Sequence, residues 1–180
     1  MTEIIFIRHF ETDVDEEIPA DMWDLSERGR RNMEKFIENR GFKEIGKIFT
    51  SSEKKAKITA EAISEETGCP VEVLDEIREI ERRGGFIEKQ EDYFAAVKSL
   101  LETGTYENWE TRSKAEERLE KFLEKAKNHE KVVAISHGMI LTILLSEYFE
   151  MEPYEFWKKL EFGEEFKMDL DSLIEVFSDK

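Results

Sequence analysis

Two short apolar runs constrain this chain more than any other feature. Glu3 to Ile7 passes without polar alternation straight into Arg8-His9, and Val132 to Ile135 passes in the same way into Ser136-His137-Gly138. Runs this short and this apolar read as strands buried on both faces, the pattern of a parallel sheet covered by helices. Lys47 to Thr50 and Val71 to Leu74 read as two further strands.

The segments between them carry helical spacing. Ser26 is a candidate cap for a helix from Glu27 that turns Met33, Phe36 and Ile37 to one side and stops at Gly41. After Ser51-Ser52 a second helix carries Ala56, Thr59, Ala60 and Ile63 inward and ends at Gly68. A third carries Tyr93, Phe94, Val97, Leu100 and Leu101, and a fourth starts at a Ser113/Glu116 capping box with Leu119, Phe122 and Leu123 inward. A fifth contains Ile140, Ile143, Leu144 and Phe149. Asp75 to Arg83 reads as a charged segment above the sheet, closed by a mobile Gly84-Gly85 turn, and Phe162 to Phe177 as antiparallel edge strands. Strands alternating with helices give an α/β fold: an open, mostly parallel sheet with helices on both faces. Ligands then gather beyond the carboxyl ends of the strands. With no internal repeat, low-complexity tract or linker, residues 1–180 read as one domain.

Charge narrows the partners. With 43 acidic against 27 basic residues the net charge is −16, which gives nucleic acid or an anionic membrane little to hold. No apolar run approaches the ~18 residues of a membrane span, and Met1-Thr2-Glu3 lacks the basic start of a signal peptide, so the expectation is a cytoplasmic protein. Cys69 is the only cysteine, so no intramolecular disulfide and no cysteine metal pair are expected. Oligomeric state is not legible.

Three predicted strands end in groups suited to phosphate: Arg8-His9, then Ser51 with nearby Lys55, then His137. They should meet at one sheet edge, whereas His129, within the charged stretch Lys127 to Lys131, reads as solvated. Arg8-His9-x-Glu11-Thr12 and Ser136-His137-Gly138 resemble the two signatures of the histidine phosphatase (phosphoglycerate mutase-like) superfamily. Between them Leu25-Ser26-Glu27-x-Gly29 is similar to its L-[ST]-E-x-G helix entry, Ser51 to Glu61 to its S-x-x-x-R-A-x-Q-T-A-E segment, and Ile77-Arg78-Glu79-Ile80 to its L-R-E-[IV]. Five matches stand in family order from Arg8 to Gly138.

The resemblance implies a phosphoglycerate mutase-like fold and a metal-independent phosphomonoester hydrolase that needs no cofactor. It makes His9 the nucleophile that forms a phosphohistidine, His137 and Glu79 its catalytic partners, and Arg8, Lys55 and Ser51 the phosphate-binding residues. Glu79 would protonate the leaving group and then activate water. Three departures stand out: Phe10 replaces the glycine that usually follows the histidine, Lys55 replaces the second arginine, and Asp15 replaces a phosphate-contacting asparagine. Lysine keeps the charge but loses the bidentate fork.

Plainer readings stand beside these. His9 alone would be a core histidine, His137 a helix-start residue, Arg8 a partner of Glu11, and Ser51 a helix cap. Lys54 and Lys57 compete with Lys55, and Glu76 and Glu81 with Glu79; Arg82 and Arg83 suit either an anionic substrate or a charged surface. The expected function is hydrolysis of a small phosphorylated substrate, with a phosphoprotein also admissible. The chain lacks the extra length of the cofactor-dependent mutases. Mutase-type phosphoryl transfer and a non-catalytic sensor or scaffold for phosphorylated ligands are the alternatives.

Overall fold

The computed structural model describes residues 2–178. Five strands form one sheet: β1 (Glu3–Arg8), β2 (Lys47–Thr50), β3 (Val71–Val73), β4 (Lys131–Ser136) and β5 (Glu165–Asp169). Their order is β3-β2-β4-β1-β5, with β5 antiparallel to β1 and the other pairs parallel. Seven α-helices accompany them among the described residues: α1 (Glu27–Arg40), α2 (Lys54–Thr67), α3 (Gln90–Thr103), α4 (Arg112–Ala126), α5 (Gly138–Leu145), α6 (Pro153–Lys159) and α7 (Leu170–Ser178).

The missing polar alternation in β1 and β4 has a direct cause. Ile4 and Phe6 face a core built with α3, α4, α5 and α7, whereas Ile5 and Ile7 face a second core built with α1 and α2. Val132 and Ala134 of β4 join the first core, and Val133 and Ile135 the second. A side-chain period of two with both faces buried leaves no polar position.

Local chemistry ends the helices where the sequence suggests. Ser26 Oγ accepts from Gly29 N at 2.9 Å at the start of α1, and Gly41 stops that helix with φ 56°. Gly68 stops α2 with φ 70°.

Four expectations need correction. α4 is capped by Thr111, whose side chain accepts from Lys114 N, rather than by Ser113, which lies inside the helix. α5 ends at Leu145, so Phe149 falls in the following turn and packs on Phe156 and Phe166. The stretch from Phe162 to Phe177 contributes only one strand. Asp169 Oδ1 then accepts from Ser172 N and starts α7, whose Leu170, Leu173 and Phe177 are buried at helical spacing. His129 is half-buried, its ring edge-on to Phe49.

The register of the central strands positions the site. Arg8 pairs with Ser136 at the carboxyl ends of β1 and β4, so His9 and His137 each leave the sheet one residue later, side by side. Thr50 pairs with Ile135, which brings Ser51 to the same edge.

Candidate active site

The two histidine rings lie with centroids 5.0 Å apart, and both residues are buried. His9 N donates to Ser136 O at 3.0 Å, tying the loop after β1 to the end of β4. His9 Nδ1 lies 2.8 Å from Phe10 O. A carbonyl only accepts, so Nδ1 carries the proton and Nε2 keeps its lone pair. Burial holds the His9 imidazole well below its ordinary pKa, and His137, Lys55 and Arg8 push in the same direction. The ring is therefore neutral near pH 7.

His137 stands at the start of α5 and is also held well below its ordinary pKa, first by burial and then by Lys55 and Arg8. Its Nε2 meets Ser51 Oγ at 2.6 Å, and Ser51 Oγ also accepts from Glu53 N at 3.1 Å. The Ser51 hydroxyl has one proton and two acceptor sites, so it can serve His137 Nε2 as donor or as acceptor. His137 Nδ1 is buried without a hydrogen-bond partner, and so is Arg8 Nε. Two unpaired buried nitrogens at one sheet edge, one of them the Arg8 donor, fit a ligand rich in acceptors.

Arg8 is fixed from several sides. Its Nη1 donates to Leu160 O at 2.5 Å, and the guanidinium lies 4.1 Å from the centroid of the Phe162 ring. Gly138 packs close beside it: a Cβ there would stand 3.4 Å from Arg8 Nη2 and 3.3 Å from the Trp157 indole nitrogen, so either side chain would have to give by a few tenths of an ångström. Lys55 is the lysine of its run that turns inward. Its side chain is buried, whereas Lys54 pairs with Asp24 at 2.8 Å with its side chain 43% exposed.

Glu79 is set apart from its acidic neighbours in the same way. Ile77 and Ile80 anchor the segment in the core, and Arg78 turns to Glu110, which also holds Arg118. The Glu79 carboxylate then accepts from Ile80 N at 2.9 Å, Met139 N at 3.1 Å and Ile140 N at 3.2 Å, across the first turn of α5. Burial pushes its pKa up, and the charge of Glu53 pushes it further. Glu76 pairs with Lys125 and Glu81 with Arg83, and both are lowered.

Phe10 leaves the site open. Its ring is buried against Phe36 and lies on Gly163, where a Cβ would come within 2.3 Å of it. Asp15 is exposed, and its carboxylate accepts from Glu17 N within its own turn. Glu11 accepts from Ser26 Oγ and from Arg28, while Gly29 packs so closely that a Cβ would lie 2.1 Å from Glu11 O. Leu25-Ser26-Glu27-x-Gly29 thus docks α1 onto the loop that follows His9. Arg82 lies over Tyr93 and donates to its hydroxyl at 3.3 Å.

One residue of the site was missed from sequence: Glu53. It precedes α2 in extended conformation, so its side chain reaches back over the helix start. Its Oε2 holds Lys55 Nζ, its Oε1 accepts from Glu79 N at 2.8 Å, and that same oxygen is 3.7 Å from His137 Nε2.

The sequence profile of the histidine phosphatase superfamily (branch 1) matches residues 4–164. The chain belongs to this superfamily. Solved histidine phosphatase-like structures superpose over nearly the whole chain. A mycobacterial glucosyl-3-phosphoglycerate phosphatase shares 19% identity at a TM-score of 0.71, covering 92% of this chain and 89% of its own. A phosphoserine phosphatase from Entamoeba histolytica, solved as a mutant with phosphoserine, shares 22% at 0.69, covering 93% and 90%. A putative alpha-ribazole-5'-P phosphatase from Escherichia coli shares 18% at 0.70, covering 94% and 91%. The sequence finds no match among curated proteins. At these identities the likeness is one of fold, and no helix among the described residues is long and apolar enough to cross a membrane.

Proposed function

We propose that this superfamily member is a phosphomonoester hydrolase that works through a phosphohistidine on His9. The observation that carries the reading is the tautomer of His9. Its Nδ1 proton is committed to Phe10 O, leaving a lone pair on Nε2, within a neutral ring beside His137 and Arg8. An unprotonated imidazole nitrogen amid positive charge is what attack on phosphorus requires.

In the first step Nε2 forms a bond to phosphorus and the ester P–O bond breaks. Arg8, Lys55 and His137 neutralise charge on the equatorial oxygens. Glu79 gives its proton to the departing alkoxide, and its raised pKa keeps that proton available. In the second step the Glu79 carboxylate takes a proton from water, whose oxygen attacks phosphorus as the P–N bond breaks. Ser51 acts through His137, orienting its ring. The side chains supply the positive charge, so the scheme calls on no metal ion.

The test is phosphate release from a panel of phosphomonoesters in the presence of a chelator, by wild type and His9→Ala. Turnover that survives chelation and vanishes in the variant supports the reading. Release that persists in His9→Ala, or that requires added metal, overturns it. Transfer of phosphate to a second acceptor in place of release would point to mutase chemistry.

A further inference from the structure

The rim above the two histidines is aromatic and acidic. Phe162, 45% exposed, lies on the Arg8 guanidinium and 5.6 Å from the His9 ring. It is held there because Gly163, at φ +73°, is pinned by the Phe10 ring and donates to Arg8 O at 3.1 Å. On the Lys55 side stands Trp23, 5.8 Å from Nζ, in edge contact with Phe86, which is also 45% exposed. Gly84 and Gly85, both at positive φ, deliver Phe86 to that position. Exposed Ile18 and Met22 extend the apolar lip around Trp23.

The polar groups of this lip are nearly all of one sign. From Asp13 to Asp24 the loop holds six carboxylates (Asp13, Asp15, Glu16, Glu17, Asp21 and Asp24) and no lysine or arginine. That loop packs on the site through Ala20 O, which accepts from Lys55 Nζ at 2.6 Å. Glu161 and Glu164 flank Phe162 on the other side. Arg83, Arg28 and Arg30 are paired with Glu81, Glu11 and Asp24, and Arg82 lies on the neutral Tyr93 ring. A carboxylate on the leaving group would meet the repulsion of these many carboxylates against the single one of these arginines, Arg82, that has no carboxylate partner among the described residues, whereas a flat apolar group would meet rings on two sides.

We propose that this rim selects phosphomonoesters of aromatic alcohols that carry no negative charge of their own, and turns away phosphorylated carboxylic acids. The proposal rests on the phosphatase reading for turnover, but its binding half stands apart. Phosphonates probe that half, since their P–C bond is not hydrolysed by this chemistry.

Benzylphosphonate, butylphosphonate and phosphonoacetate would be titrated into the full chain by calorimetry. In parallel, kcat/KM would be measured for benzyl phosphate, butyl phosphate and phosphoglycolate, whose leaving alcohols are of broadly similar acidity. The aromatic compound should lead each series, by roughly tenfold over the butyl compound, the scale of one added ring contact. The carboxylate should come last. Trp23→Ala and, should that variant fold poorly, Phe86→Ala should bring the benzyl to butyl ratio toward one. A carboxylate that binds or reacts as well as the benzyl compound overturns the proposal while leaving the phosphatase reading intact. Phosphonate selectivity of the expected order without any turnover overturns the phosphatase reading and supports the rim. Absence of phosphonate binding overturns the rim proposal, and absence of turnover as well overturns both.

Discussion

The Lys55 ammonium lies on the Glu53 carboxylate with their side chains only 6% and 9% exposed. The ammonium that the proposed scheme aims at phosphate is thus held in place by Glu53 and Ala20 O, with a third N–H left for the ligand. Removing one partner strands the other in a buried setting, whereas replacing both by apolar groups removes the problem. Lys55→Ala should cost about 3–5 kcal/mol of stability, read by denaturant unfolding. The double variant Lys55→Met, Glu53→Leu should recover part of it, because Glu79 N and Ala20 O still lose their partners. A single variant as stable as wild type would show that the pair is not formed in solution.

Glu53 also acts on Glu79. In the proposed scheme Glu79 is the proton donor of the first step and must be protonated, so kcat/KM for an alkyl phosphate should fall as pH rises through its pKa. Burial is the larger cause of the raised value and Glu53 the second, opposed by backbone donors and by Arg82. Glu53→Gln removes that second cause, so the alkaline limb should move to lower pH. The limb should move much less for an aryl phosphate, whose leaving group needs little protonation. A limb that stays in place or moves upward for the alkyl substrate would contradict this coupling.

Phe10 and Gly163 form one packing unit. A methyl group at position 163 meets the Phe10 ring and also sits at a left-handed φ. Gly163→Ala should therefore destabilise the protein by roughly 1–3 kcal/mol, the usual scale of overpacking. Phe10→Leu in that background should restore only part, because the backbone strain remains. Full recovery would mean that the strain is absent. No loss in the single variant would mean that Phe10 does not pack where it is described.

The fold and the catalytic constellation were readable to different depths, for physical reasons. β1 and β4 were legible because burial on both faces removes polar alternation, and α1 and α2 because their caps and glycine stops are local. The edge beyond Phe162 was misread: Leu170, Leu173 and Phe177 have helical spacing, but the strand before them hides the change of period. His9, Arg8 and His137 stood out because Arg8 ends a strand and the two histidines follow strands directly. Lys55 and Glu79 were singled out from their like-charged neighbours only through the resemblance; burial now separates Lys55 from Lys54, and the backbone donors of α5 separate Glu79 from Glu76 and Glu81, which pair with Lys125 and Arg83. Glu53 was passed over because positions two apart do not face each other on a helix. It reaches Lys55 from the extended residue before α2, a geometry the spacing does not express. Phe162 was read as strand, so its place over Arg8 was not foreseen.

The central claim is that phosphate passes through His9, and rapid quenching with radiolabelled substrate tests it most directly. During turnover the protein should carry label that is lost in acid and retained in base, as a phosphoramidate is. Proteolysis should place the label on the peptide that contains His9, and His9→Ala should carry none. Turnover with no protein-bound label at any quench time, or label that persists in His9→Ala, would contradict the account.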